Sequence, residues 1–292
     1  MTEASRYLLA LARRNAEAYI ENPKTKAVMI TGSCAEGESD FYSDIDTILY
    51  YEELPTDEEL EAARLRNGGS ALNWRLGDRT EGSVLASYNV QGVECQFAHS
   101  TIATWEREMA TVLVGLDLTS PIQKALAGLL HAIPLHGEAL IQRWQAQVAD
   151  YPDTLARAMV EKHLQFVPLW ALQPRLSTRD ATLWRTQILV EAVQNLLGVL
   201  AGLNRLYYST FQFKRMGRFI AEMRVAPPDL ASRIERLFTA EPQAAADQLE
   251  ALIAETVDLV AARMPDVDVS QTRKRLGRRP EPWRPAPEIS RP

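Results

Sequence analysis

The stretch VMITGSCAEGESDFYSDIDTILYY, Val28 to Tyr51, restricts the fold more than any other part of this chain. Both of its ends are apolar, as buried strands are, and a small polar connection opening on Gly-Ser joins them. The second end, DIDTILYY, begins with two carboxylates, Asp44 and Asp46, separated by Ile45 alone. Residues i and i+2 of a strand project to one face, roughly 7 Å apart along the backbone. Asp44 and Asp46 therefore aim together while Ile45 points the other way. Like charges held that close resist burial. A fold that buries this strand needs positive charge at its head.

A divalent cation is the simplest partner, because hard ions such as Mg²⁺ take carboxylate oxygens. Two carboxylates so spaced can hold a pair of ions about 3.5–4 Å apart, the arrangement that serves phosphoryl chemistry. The Gly32-Ser33 pair offers the complementary half of such a site. A strand followed by Gly-Ser and a helix start presents backbone N–H groups and a hydroxyl to an anion such as a triphosphate. A third acid is expected on a neighbouring strand, and VECQFAHS supplies Glu94, on one face with Gln96 and Ala98. Glu94 could join the metal site or accept a proton from an attacking hydroxyl. Asp78, in RLGDRT, competes with it for that part.

The rest of the chain reads as two halves. An amphipathic helix opens the sequence and ends at Asn22-Pro23. LPTDEELEAAR carries a helix start at Thr56, Asn67-Gly68-Gly69 is a turn, and Gln91-Gly92 joins SVLASYNVQ to VECQFAHS as a hairpin. From Thr101 the period becomes helical, with IPLHG as a short strand. Beyond ADYPD almost everything is helix: Thr154–Leu172 with a kink at Pro168, Asp180–Tyr208, Phe211–Arg224, Pro228–Phe238 and Pro242–Met264. We expect an α/β domain over 1–150, a mixed sheet flanked by helices, then an all-α bundle over 151–265. A basic, proline-rich tail over 266–292 reads as extended or mobile.

Composition narrows the classes of function. At 46% apolar and 24% charged residues the chain is ordinary for a globular protein. No apolar run approaches the ~20 residues of a membrane span, and no cleavable leader is evident, so the expected compartment is the cytoplasm, with no membrane partner. Two cysteines give neither a disulfide framework nor metal-ligand spacing. The tail from Gln271 holds seven Lys/Arg against two Glu, so it carries +5 and the remainder −11 of the total −6. So acidic a body disfavours nucleic acid and favours cationic small molecules.

At these residues the chain resembles a known family. GSCAEGESDFYSDIDTILYY looks like the signature of the polymerase-β-like nucleotidyltransferase superfamily: Gly-Ser, a spacer, then Asp-x-Asp on a strand, with a later carboxylate on a neighbour. The layout is similar to the aminoglycoside and lincosamide adenylyltransferases, which append a helical domain. The resemblance implies two Mg²⁺ on Asp44 and Asp46, and nucleotide phosphates at Gly32, Ser33 and Ser43. It makes Glu94 the third ligand or the base. ATP, or another NTP, would be the co-substrate. Many relatives carry an Arg where this chain has Glu36, so another cation must steady the phosphates. Lys214, in LNRLYYSTFQFKRMG, is the candidate, with Asn204 and Tyr208 as weaker ones.

The implied function is transfer of an NMP, AMP from ATP, to a hydroxyl of a small-molecule acceptor, an antibiotic among the candidates, with release of pyrophosphate. The alternatives are a protein or tRNA acceptor docked by the basic tail, or a non-catalytic nucleotide-binding regulator. Other notable residues have plainer readings. The four histidines form no metal cluster, and Trp105, Trp170 and Trp184 lie at helical spacings as core residues. Asp180 and Glu191 read as solvated helix acids, and Cys34 lacks a base that would make it a nucleophile.

Overall fold

The computed structural model describes residues 1–166, 179–277 and 283–284. The chain divides into two compact units, Met1–Pro152 and Asp153–Pro292. The first is a mixed sheet flanked by helices and the second is helical.

Helix α1 (Glu3–Ile20) starts where Thr2 accepts a hydrogen bond from the Ser5 N–H. It is followed by β1 (Thr25–Thr31), the short α2 (Gly32–Glu36), β2 (Ile45–Tyr51) and α3 (Asp57–Arg66). The Thr56 signature is a full capping box, Thr56 and Glu59 each satisfying the other's backbone N–H. Strands β3 (Leu72–Asp78), β4 (Ser83–Val90) and β5 (Val93–Thr101) follow, then α4 (Ile102–Leu113), α5 (Ile122–Leu130), β6 (Ile133–His136) and α6 (Glu138–Ala149). The six strands lie in the order β3-β4-β5-β2-β1-β6. Only β2 and β5 run parallel, with Asp46 opposite Gln96; the other neighbours are antiparallel.

The two faces of this sheet have different fates. On one face Leu8, Leu11, Ala12, Ala16 and Tyr19 of α1 pack against Ile45, Leu49 and Tyr51 of β2, Cys95 and Phe97 of β5, and Val84 and Tyr88 of β4. Each large side chain buried in this way contributes about 1.5–3 kcal/mol. On the other face, α4 and α6 cover only one end of β2. There Trp105 and Trp144 pack on Tyr50 at 5.8 and 4.6 Å between ring centroids. The opposite end, with Asp46, Glu94 and Gln96, remains partly exposed.

The second unit contains α7 (Asp153–His163), α8 (Thr182–Asn204), a 3₁₀ turn (Thr210–Arg215), α9 (Met216–Ala221), α10 (Leu230–Leu237), α11 (Pro242–Arg263) and α12 (Ser270–Arg275). Gly198 and Gly202 of α8 let α7 approach: a side chain at either would strike the His163 ring or the Ala156 carbonyl. By length and composition α8 could cross a membrane, yet 61% of its apolar window is buried within the protein, as in a core helix.

Several expectations need correction. β3 and α6 were not anticipated, and the helix expected over Phe211–Arg224 is a 3₁₀ turn followed by one short helix. Trp105 is buried, but Trp184 is 57% exposed on α8 and no core residue. Arg273–Arg275, expected in an extended or mobile tail, end α12. Thr272 there donates to the Leu164 carbonyl and Arg273 pairs with Asp258. Pro168, Trp170 and the end of the helix expected through Leu172 lie outside the described residues.

Candidate active site

Strand alternation sets the site. Ile45, Thr47 and Leu49 go to the buried face, so Asp46 goes to the partly open one, and Asp44, expected within the strand, is the residue just before it. In register with Asp46 on β5 is Gln96, whose Nε2 donates to Asp44 Oδ2 at 2.7 Å. That bond fixes the orientation of the first carboxylate.

Gly32 packs against the second. Its φ is +67°, a left-handed conformation suited to glycine, and a methyl group there would overlap Asp46 Oδ2. The main chain at the start of α2 therefore lies directly on the Asp46 carboxylate. Ser33 shares a hydrogen bond with Ser39, 3.2 Å between hydroxyl oxygens. Ser43 closes a turn with Asp40: its hydroxyl donates to Asp40 Oδ1 and accepts from the Asp40 N–H, both at 3.0 Å. Thr2 and Ser5 tie the intervening loop to α1 through the Ser39 backbone.

Glu94 shares the face but has its own partners. Its Oε1 accepts from Ser87 Oγ on β4 at 2.8 Å and from the Trp74 indole N–H on β3 at 3.3 Å. Asp78, its competitor, accepts from the backbone and hydroxyl of Thr80 at the end of β3 and so caps a turn. Lys214 belongs to the helical unit, where its Nζ lies 5.7 Å from the centre of the Phe211 ring. Asn204 is a structural staple there: its side chain bonds the Leu200 and Val225 carbonyls and the Arg224 and Val225 N–H groups. The Tyr208 hydroxyl donates to the Gln194 carbonyl.

The acids are felt by the buried thiols beneath them. Burial, then the charge of Asp46, pushes the Cys34 thiol up to about 11. Burial pushes Cys95 up to about 12, with the charges of Glu94 and Asp44 adding to it. Both cysteines are buried and protonated at neutral pH, so neither is a nucleophile.

Among the described residues, no three His, Cys, Asp or Glu side chains gather as a metal site. The donors that Asp44 and Asp46 provide are oxygens only, two carboxylates beside an amide. That set suits Mg²⁺, which is commonly held by one or two carboxylates together with water and substrate phosphates.

Gln96, Ser87 and Trp74 were given no role from sequence. Gln96 was already legible as a face-mate of Glu94. Trp74 had a signal in the alternation of Leu72, Trp74 and Leu76 between a Gly-Gly turn and Asp78.

No protein-family model matches this chain, and no curated protein does. Among solved structures it is similar to a nucleotidyltransferase-like protein from Exiguobacterium sibiricum, at 11% identity and a TM-score of 0.43. The likeness covers 89% of this chain and 80% of that one.

Proposed function

We propose that this chain transfers a nucleoside monophosphate, AMP from ATP, to a hydroxyl of a small-molecule acceptor. The reading is supported above all by the meeting of Asp44, Asp46 and the Gly32 main chain on a partly open sheet face, with Glu94 on the same face. Mg²⁺ bound at Asp44 and Asp46 would neutralise phosphate charge and ease ionisation of the acceptor hydroxyl.

The chain's own groups then have few duties, as befits a reaction run by positioning and electrostatics. Gln96 keeps Asp44 oriented. Gly32 lets the main chain approach, and the Ser33 hydroxyl can turn from Ser39 to a phosphate oxygen, whereas the Ser43 hydroxyl would first have to give up its bond to Asp40. The acceptor oxygen bonds to the α-phosphorus, the bond from that phosphorus to the bridging oxygen breaks, and pyrophosphate leaves. Glu94 takes the acceptor's proton on Oε2, since Ser87 and Trp74 engage Oε1. The −11 body and the acidic face favour a cationic acceptor, an aminoglycoside-type antibiotic being the first to try.

Pyrophosphate release, followed with all four NTPs and a panel of acceptors with and without Mg²⁺, tests this. Asp44→Asn and Asp46→Asn should each lower it by roughly 100-fold or more. Release that survives in both variants, or that needs no metal, sinks the reading.

A further inference from the structure

The covered end of β2 holds a second set of polar groups. Asp46, Ile48 and Tyr50 alternate along one side of the strand, and Tyr50 lies where α4 and α6 pack on the sheet. Tyr50 is 1% exposed and Trp105, its neighbour on α4, 5%. Among the described residues, neither the Tyr50 hydroxyl nor the Trp105 indole N–H has a hydrogen-bond partner, although both atoms are buried. Trp144 shows the usual outcome for such a group. Packed on the same tyrosine, it donates its N–H to Glu106 at 3.0 Å. Buried donors are paired as a rule, because an unpaired one loses its bonds to solvent and gains none.

A third group borders these two. Glu108 follows Trp105 by three residues on α4, so the two share a side of the helix. Burial raises the Glu108 carboxyl above its ordinary range; Arg107 opposes this, and no hydrogen bond does. Its charge reaches the Tyr50 phenol, which burial first and Glu108 second hold well above the usual value. A phenol, an indole and a half-buried carboxyl group thus meet between α4 and β2.

Their chemistry narrows what can lie among them. An indole N–H only donates, a carboxylate only accepts, and a phenol does either. A cation would meet the positive end of the N–H, and an anion would meet Glu108. The guest must be neutral, accept from the indole, donate to the carboxylate and fit a packed interior. We infer that one water molecule is bound here, accepting from Trp105 Nε1 and bridging the Tyr50 hydroxyl to the Glu108 carboxylate. Three such bonds are the usual complement of an internal water. This water ties α4 to the covered end of the strand that carries Asp46. It requires no turnover and stands whether or not the chain transfers a nucleotide.

Tyr50→Phe tests this by the sign of its effect, since it keeps the ring and removes only the hydroxyl. Loss of a water-bonded hydroxyl should lower Tm by about 2–4 °C. An unchanged or raised Tm would mark the hydroxyl as an orphan and overturn the inference. Paired with Glu108→Ala, the two losses should fall short of their sum, because both break one bridge. Strict additivity also counts against it. The water itself can be read in the wild-type chain, which needs no variant to fold. A crystal structure that shows ordered solvent should place an oxygen within hydrogen-bond distance of both Trp105 Nε1 and Tyr50 Oη. Clear density for the three side chains with none between them sinks the proposal.

Discussion

Gly32 shows how one residue can serve both backbone and chemistry. Its positive φ turns the chain out of β1, and its missing side chain leaves room for the Asp46 carboxylate. Gly32→Ala should cost about 1–2 kcal/mol from the left-handed conformation alone. It should also cost transfer activity roughly 100-fold, because the acid is pushed from its place. Denaturant melts alongside the pyrophosphate assay would check this. A stable variant with full activity would show that the Gly32–Asp46 contact is incidental.

At the scale of elements, β5 is held to β2 and α1 partly by a buried histidine. His99 shares a hydrogen bond with the Tyr51 hydroxyl at 2.9 Å and packs on Tyr19 and Phe97. Burial foremost, with Arg75 and Arg79 adding their charge, holds its pKa near 3. An unfolded histidine titrates near 6.5, so below that pH the unfolded chain binds a proton that the folded one refuses. The contribution of neutral His99 is intact above about pH 6.5. It drains away towards pH 3 at up to about 1.4 kcal/mol per pH unit. Denaturation of wild type and His99→Asn between pH 7 and 4 should show the difference in stability narrowing as pH falls. Parallel curves would remove His99 from the account of acid sensitivity.

For the whole molecule, the informative cut lies after Gly277. Thr272 and Arg273 anchor the beginning of the basic stretch to Leu164 and Asp258 within the helical unit. Removing residues 278–292 spares these anchors and should leave Tm within about 2 °C, whereas cutting from Gln271 removes them and should lower it further. If the acceptor is a small molecule, the shorter deletion also leaves transfer intact. Lost transfer in a chain that melts normally would favour a macromolecular acceptor docked by those arginines.

Local pattern made much of this legible. Period-2 alternation alone put Asp44 and Asp46 on one face, and Glu94 with Gln96 on another strand's face, because alternation is a property of any extended chain. The change to helical period separated a mixed half from a helical one, and the Thr56 cap could be read from four residues. Other features depended on distant parts of the chain meeting. β3 is an edge strand with almost no buried residues, so it carries little of the apolar signal by which strands are recognised. Trp184 has helical spacing yet faces solvent, since spacing does not say which side of a helix meets a neighbour. The bond from Gln96 to Asp44, the pressing of Gly32 on Asp46 and the hold of Ser87 and Trp74 on Glu94 were all decided by strand order and register. The sequence named the acids; their partners come from strands far apart in the chain, which only the assembled sheet makes neighbours.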